Sequence, residues 1–207
     1  MIIAVDGPVA AGKGTLARRI AQKYKLTYLD TGALYRAVGL ILLRAGQDPE
    51  NATLAAQAAL SVSTVALDDQ ELRREETGKA ASVVAANQQV RDVLLNYQRS
   101  IAKQRPGAVL DGRDIGTVVC PDADIKLFVT ASSEARARRR YDELIARGED
   151  VLFDDVLADL QERDRRDQGR SAAPLTKAED AHLLDTTKLD IEAALEAACQ
   201  LIDAEIR

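Results

Sequence analysis

Gly7-Pro8-Val9-Ala10-Ala11-Gly12-Lys13-Gly14-Thr15 joins an apolar run, Ile2 to Val5 ending at Asp6, to a stretch from Lys13 to Tyr24 in which Leu16, Ala17, Ile20 and Ala21 recur at helical spacing. Strand, glycine turn, helix is the context a phosphate-binding loop of the Walker A kind requires. Backbone N–H groups of such a loop and the positive end of the helix dipole converge on phosphate, and Lys13 adds a point charge toward the β- and γ-phosphates. Gly7, Gly12, Lys13, Gly14 and Thr15 are therefore the candidate nucleotide-binding residues. The lysine is followed by Gly14 and not by Ser or Thr, so the hydroxyl that grips Mg²⁺ directly in many such loops is missing. Thr15 is left to take phosphate oxygens, with Mg²⁺ held chiefly by nucleotide oxygens and water.

Outward from this loop the pattern alternates between short apolar runs and amphipathic stretches. A second strand ends at Leu29, and Thr31-Gly32 opens a helix carrying Tyr35, Val38, Leu42 and Leu43. The middle reads as a helix to Leu60, a strand over 62–67, a polar turn, and two helices over 80–104. Strands are expected at 108–111, 125–130 and 182–185, and helices at 134–146 and 153–166, with a break at Arg147-Gly148-Glu149. A terminal helix has Ile191, Leu195, Ala198 and Ile202 on its buried side. Repeated strand-then-helix order predicts an α/β fold, a central parallel sheet flanked by helices. No repeat or low-complexity tract divides the 207 residues, which suit a single domain over 1–207.

Composition excludes several classes. The net charge of −5, from 28 Lys+Arg and 33 Asp+Glu, argues against a nucleic-acid binder that relies on overall positive charge. The longest charge-free stretch, 51–67, is too short and polar to cross a membrane, and no signal peptide is recognisable at the N-terminus. Cys120 and Cys199 form no CxxC pair, so a cytoplasmic protein is expected. His182 is the single histidine and reads as a surface or strand-edge residue. Of the 20 Arg, nine fall between 131 and 170, with no Lys and with eleven Asp and Glu. Alone, that window reads as an ion-paired helical hairpin; beside a phosphate loop it reads as phosphate capture by guanidinium forks.

Gly12-Lys13-Gly14-Thr15 resembles the loop of nucleoside monophosphate kinases. Three further strings resemble bacterial cytidylate kinases: Tyr28-Leu29-Asp30-Thr31-Gly32-Ala33-Leu34-Tyr35-Arg36-Ala37; Asp111-Gly112-Arg113-Asp114-Ile115-Gly116-Thr117-Val118-Val119; and Glu162-Arg163-Asp164 through Asp167, Arg170 and Ala173-Pro174-Leu175. The likeness runs from Ile2 to about Ile202. Around 50–79 the chain is shorter than that family, and it carries Lys79, Gln88, Val9 and Ala10 where the family usually has other residues.

The resemblance implies a P-loop kinase with an acceptor-binding subdomain near 31–105 and a mobile lid near 142–175. Its expected reaction is transfer of the γ-phosphate of MgATP to CMP or dCMP, by a monomer with no nucleic-acid or membrane partner. Arg163 and Arg170 are expected on the transferring phosphates, Asp167 on the ribose hydroxyl, and Arg36 and Arg113 on the acceptor phosphate. Lys13, Arg113, Arg163 and Arg170 are the candidate catalytic residues. Thr31 and Tyr35 are expected to line the acceptor pocket, and Ser82, Arg91 and Asp114 to meet the base. A carboxylate facing C4 of the pyrimidine favours the amino donor of cytosine over the O4 acceptor of uracil. Asp114 could instead brace Arg113 in an ion pair. Asp111, ending a strand, could orient water on Mg²⁺ or cap the following turn. One of Arg136, Arg139 and Arg140 is expected to reach the donor site, with the others solvated. The rival readings are a P-loop kinase for another monophosphate such as UMP or AMP, and a nucleotide-binding switch. The switch is disfavoured because lid arginines and an acceptor pocket have no use in it.

Overall fold

The computed structural model describes residues 1–66 and 70–206. Five strands, β1 (Ile2–Asp6), β2 (Thr27–Asp30), β3 (Ala108–Gly112), β4 (Ile125–Thr130) and β5 (His182–Asp185), pair in parallel in the order β2-β3-β1-β4-β5. A parallel sheet needs crossovers and buries both faces, which is why β1, β3 and β4 read as nearly continuous apolar runs. On one face, Ile3, Val5, Leu127 and Val129 pack against α1 (Lys13–Tyr24) and α8 (Ile191–Glu205). On the other, Ala4, Leu29 and Leu110 meet Ala102, from α5 (Gln88–Ala102), and Ile115 and Val119 from a single π-helical turn, Ile115–Val119.

Beyond β2 lies a helical layer made of α2 (Thr31–Arg44), α3 (Ala52–Leu60), α4 (Glu75–Val84) and α5, closed by Leu34, Val38, Leu42, Ala55, Ala81 and Leu94. Asp30 caps α2 by accepting from the Ala33 amide at 3.1 Å, and Asn51 caps α3 by accepting from Leu54 at 3.1 Å. A hairpin of α6 (Ser133–Ala146) and α7 (Phe153–Gly169) has its own small core of Ala137, Leu144, Val156 and Leu160. Gly148, at φ +79, sits in the connection between those two helices, in a conformation that favours glycine.

The strand expected over 62–67 is a short 3-10 turn, Val62–Thr64, and residue 67 lies outside the described residues. Val62 and Val65 are satisfied by packing with Ala37 and Leu40 of α2, so their alternation serves a helix surface and not a sheet. Ile191, in the first turn of α8, is 36% exposed and lies outside the apolar cluster; Ala194, Ala198, Cys199 and Ile202 form the buried stripe. His182 begins the edge strand and pairs with Glu205 at 3.0 Å.

Sequence order places β1 in the centre with crossovers running to both sides, so the carboxyl ends of β1, β3 and β4 open onto one crevice. Three acids stand at this side of the sheet: Asp6 closes β1, Asp30 closes the neighbouring β2, and Asp111 precedes Gly112 at the end of β3.

Candidate functional site

The loop after β1 is built by backbone constraints. A Cβ on Gly7 would lie 1.9 Å from the carbonyl oxygen of Val129, so only glycine lets the chain leave β1 beside β4. Gly12 takes φ +86 as the N-cap of α1 and offers no side-chain cap. The first amides of α1 are thus left for an anion, which the helix dipole also favours. The Lys13 ammonium donates to the Pro8 carbonyl at 2.7 Å, folding the side chain back across the loop. Burial and the neighbouring Arg113 pull its pKa down to about 7, against the attraction of Asp111 and Asp6. Val9 and Ala10 pack on the α6–α7 core, and the Val9 carbonyl accepts from Arg136 Nη1 at 3.2 Å.

Asp111, the penultimate residue of β3, is in register with Asp30, and burial pushes its carboxyl up to about 6, opposed by Lys13. Its carbonyl, not its carboxylate, accepts the Thr31 hydroxyl, at 2.7 Å. A Cβ on Gly14 would approach Asp111 Oδ2 at 3.2 Å, so the missing side chain gives this carboxylate its room beside the loop. That makes Asp111 an acid facing the phosphate loop, as an outer partner for Mg²⁺ requires, and Thr15 lies on the same cleft. No group of three or more His, Cys, Asp or Glu suited to a metal occurs among the described residues.

The acceptor side is an assembly of side chains from distant elements. Arg91 of α5, itself buried, forms an ion pair with Asp114 Oδ2 and donates to the Ala85 carbonyl at 3.4 Å. Arg170 Nη2 stands 3.6 Å from Asp114 Oδ1. Arg91 also lies 5.8 Å from the centre of the Tyr35 ring. Arg113 Nε donates to Asp167 Oδ2 at 2.9 Å, so the expected alternative of an Arg113–Asp114 pair does not occur; Asp114 is shared by Arg91 and Arg170. Burial opposes charge on Asp167, yet Arg113 and Arg163 hold its carboxyl below the usual range. Arg36 donates to Asp30 at 2.7 Å.

Arg163 and Asp167 lie on α7, but the helix stops at Gly169 and Arg170 is its C-cap, held by donation to the Ala173 carbonyl at 2.7 Å. Burial and the nearby Arg113 lower the Arg163 guanidinium to about 10. Three buried polar atoms here, Ser82 Oγ, Arg163 Nε and Arg170 Nη2, have no hydrogen-bond partner. Buried polar groups are rarely left so, and three around one cleft point to a polar ligand.

A single cleft of about 1110 Å³ takes in every candidate residue except Gly7 and Gly12, which shape the loop from behind. Of the three arginines left open, Arg136 is buried, spans Ala131, Val9 and Asp164, and braces the loop structurally. Arg139 is half-buried on Thr186, while Arg140 lines the cleft, paired with Glu75 at 2.8 Å. Sequence reasoning passed over Asp6, although an acid closing an apolar central strand was a visible signal. It also passed over Asp164, whose role appears only once α6 and α7 are paired.

A family model described as cytidylate kinase matches residues 3–204. A cytidylate kinase of Xanthobacter autotrophicus is 57% identical over 204 residues, covering 99% of this chain and 98% of that protein. One from Brucella suis biovar 1 is 56% identical, covering 98% and 92%. Among solved structures, an uncharacterized protein from Eubacterium ventriosum aligns at a TM-score of 0.59 and 16% identity, covering 99% of each chain. Shikimate kinase from Bacteroides thetaiotaomicron aligns at 0.50 and 14% identity, covering 98% of each. At such identities these two likenesses concern the fold alone.

Proposed function

The chain belongs to the cytidylate kinase family, and we propose on that premise that it transfers the γ-phosphate of ATP to CMP or dCMP, giving ADP and CDP or dCDP, within this cleft. Two anionic substrates must meet with little covalent chemistry for the protein to perform, so its work is positioning and charge neutralisation. The observation that carries the assignment of roles is the set of buried polar atoms on Ser82, Arg163 and Arg170 that make no hydrogen bond, which line the acceptor side of the cleft.

The loop amides and Lys13 hold the donor phosphates, and Lys13 exchanges the Pro8 carbonyl for phosphate oxygen. Arg163 and Arg170 reach the phosphates in transfer, Arg113 and Arg36 hold the acceptor phosphate, and the Asp167 oxygen not engaged by Arg113 accepts a ribose hydroxyl. Thr31 and Tyr35 line the acceptor pocket. Thr15 takes phosphate oxygens, Asp111 would hold Mg²⁺ through water, and the ion would supply neutralisation of phosphate charge. No residue is needed to break the P–O bond directly. The region 31–105 serves as the acceptor subdomain and 142–175 as a closing lid, supported by the separate α6–α7 core and the Gly148 break. We take the enzyme to act as a monomer in the cytoplasm, and its net charge of −5 offers no overall attraction to nucleic acid. No helix among the described residues is long and apolar enough to cross a membrane.

The base is chosen by Asp114, with Ser82 and Arg91 at its edge: the carboxylate accepts from the cytosine amino group, whereas uracil sets O4 lone pairs against it, a difference of about 2–3 kcal/mol. The test measures kcat/KM for CMP, UMP and AMP in wild type and Asp114→Ala by ADP release. Strong preference for CMP in the wild type, narrowed in the variant, supports the reading. An unchanged CMP-to-UMP ratio in the variant removes Asp114 from base choice, and wild-type preference for UMP or AMP removes the substrate assignment.

A further inference from the structure

Asp6 lies outside the roles assigned above, yet it is a carboxylate only 6% exposed at the end of the central strand. Alternation along β1 sends Ile3 and Val5 toward α1 and α8, and Ala4 and Asp6 toward the opposite face, where the Ile115–Val119 turn sits. There the two carboxylate oxygens are divided between two backbone donors. The Ile115 amide donates to Oδ1 at 2.8 Å and the Gly116 amide donates to Oδ2 at 2.8 Å. These are the first two amides of the π-turn, both among the orphan donors of its N-terminus, and the second, Gly116, is one that an N-cap side chain ordinarily satisfies.

The residue in the N-cap position is Asp114, a type that caps well, yet it makes no capping bond here. Its carboxylate points instead to Arg91 and Arg170 on the cleft. We infer that Asp6 is a positioning residue for base recognition: by capping the Ile115–Val119 turn from 109 positions away in sequence, it releases the Asp114 carboxylate to face the substrate. Packing supports this. A Cβ on Gly116 would stand 3.4 Å from Asp6 Oδ2 and 3.0 Å from Lys126 Cδ, so the turn lies against Asp6 with no spare layer between them. Asp6 also directly precedes Gly7, which places the base-recognising turn and the phosphate loop on consecutive residues of one strand end. The inference rests on the reading of Asp114 given under the proposed function.

Asp6→Asn keeps the shape but offers one acceptor and sets an amide N–H₂ against a backbone N–H, so one of the two donors loses its partner. Freed from its cap, the turn draws Asp114 back to its own amides. The expected result is a roughly ten-fold or greater fall in kcat/KM for CMP, carried mainly by KM for CMP, with a narrowed CMP-to-UMP ratio and KM for ATP within about three-fold of wild type. Asp6→Asn placed on Asp114→Ala should not change the CMP-to-UMP ratio further.

Asp6→Ser, which leaves one short acceptor in place of two carboxylate oxygens, provides a second route if Asp6→Asn does not fold, and should narrow the ratio in the same direction. Equal losses for CMP and UMP, or a rise in KM for ATP matching that for CMP, would show that Asp6 only braces the strand end and would overturn the inference. If Asp114→Ala alone narrows the ratio while neither Asp6→Asn nor Asp6→Ser does, this inference fails and the Asp114 reading survives. If Asp114→Ala leaves the ratio unchanged, both fail.

Discussion

The two halves of the cleft are made of different materials. The donor half is backbone: nine consecutive residues whose shape is fixed by Gly7 against Val129 and by Gly12 at the head of α1, with Lys13 satisfied internally by the Pro8 carbonyl. The acceptor half is side chains brought from α2, α4, α5, the 112–115 segment and α7, and it contains the buried atoms of Ser82, Arg163 and Arg170 that make no hydrogen bond. A backbone cradle is complete as soon as its strand and helix are packed. A side-chain cradle holds together through charge pairs that a substrate must rearrange, as between Arg36 and Asp30 or between Arg91 and Asp114. One half is therefore preformed, and the other is poised.

The largest test strikes the preformed half. Lys13→Ala should reduce kcat by roughly two to three orders of magnitude while CMP affinity changes by only a few-fold, since this charge meets the transferring phosphates and not the base. Near-normal turnover in a folded variant would mean that the loop backbone suffices alone. Against the poised half, Arg170→Met should lower kcat/KM for CMP by about ten- to a hundred-fold through lost charge-assisted hydrogen bonds, with ATP affinity little altered. Equal damage to ATP and CMP binding would erase the division between the halves.

A third measurement sharpens the contrast through protons. In the free protein burial and Arg113 hold Lys13 near a pKa of about 7, and bound phosphates must raise it by favouring the ammonium. ATP binding at pH 8 should then take up between about half and one proton, and affinity should weaken as pH rises from about 7 toward 10. Calorimetry in buffers of different ionisation enthalpy reads the uptake directly. Lys13→Arg, charged throughout this window, should abolish it; persistence in that variant would assign the proton elsewhere.

The smallest effect concerns the half-exposed pair of Lys79 and Asp159 at 2.9 Å, which ties α4 to α7. Lys79→Met should cost less than about 1 kcal/mol and speed amide exchange over 142–175 only slightly, whereas binding both nucleotides should slow that exchange markedly. Exchange in that segment that ignores the nucleotides would refute a closing lid.

The same contrast explains what could be read from sequence. A backbone cradle is local, so spacing and flanking periodicity announce Gly7 to Thr15 without any knowledge of the fold. The parallel sheet was equally legible, because alternating β and α signals constrain topology. The acceptor half was reached through resemblance, since nothing local distinguishes Ser82 or Arg91 from solvated helix residues until α4 and α5 are packed on α2. Where neither local chemistry nor resemblance spoke, expectation went astray. Val62 and Val65 looked like a strand but pack on a helix, and the choice left open among Arg136, Arg139 and Arg140 did not foresee that Arg136 is buried against Val9 and Asp164. Asp114 pairs with Arg91 and Arg170 while Asp167 takes Arg113, an exchange of partners visible only in three dimensions.

The central position of β1 has a consequence for how the chain comes into being. Its partners are Ala108–Gly112 and Ile125–Thr130, so the strand that carries the phosphate loop finds no neighbour until more than a hundred further residues have been synthesised. During translation the first elements to emerge can coil into helices, but the sheet cannot nucleate around β1 while β3 and β4 are still in the ribosome. Nascent chains stopped before residue 108 should therefore hold no ATP, and the ability to hold it should arise late and abruptly, once β4 is free to complete the pairing.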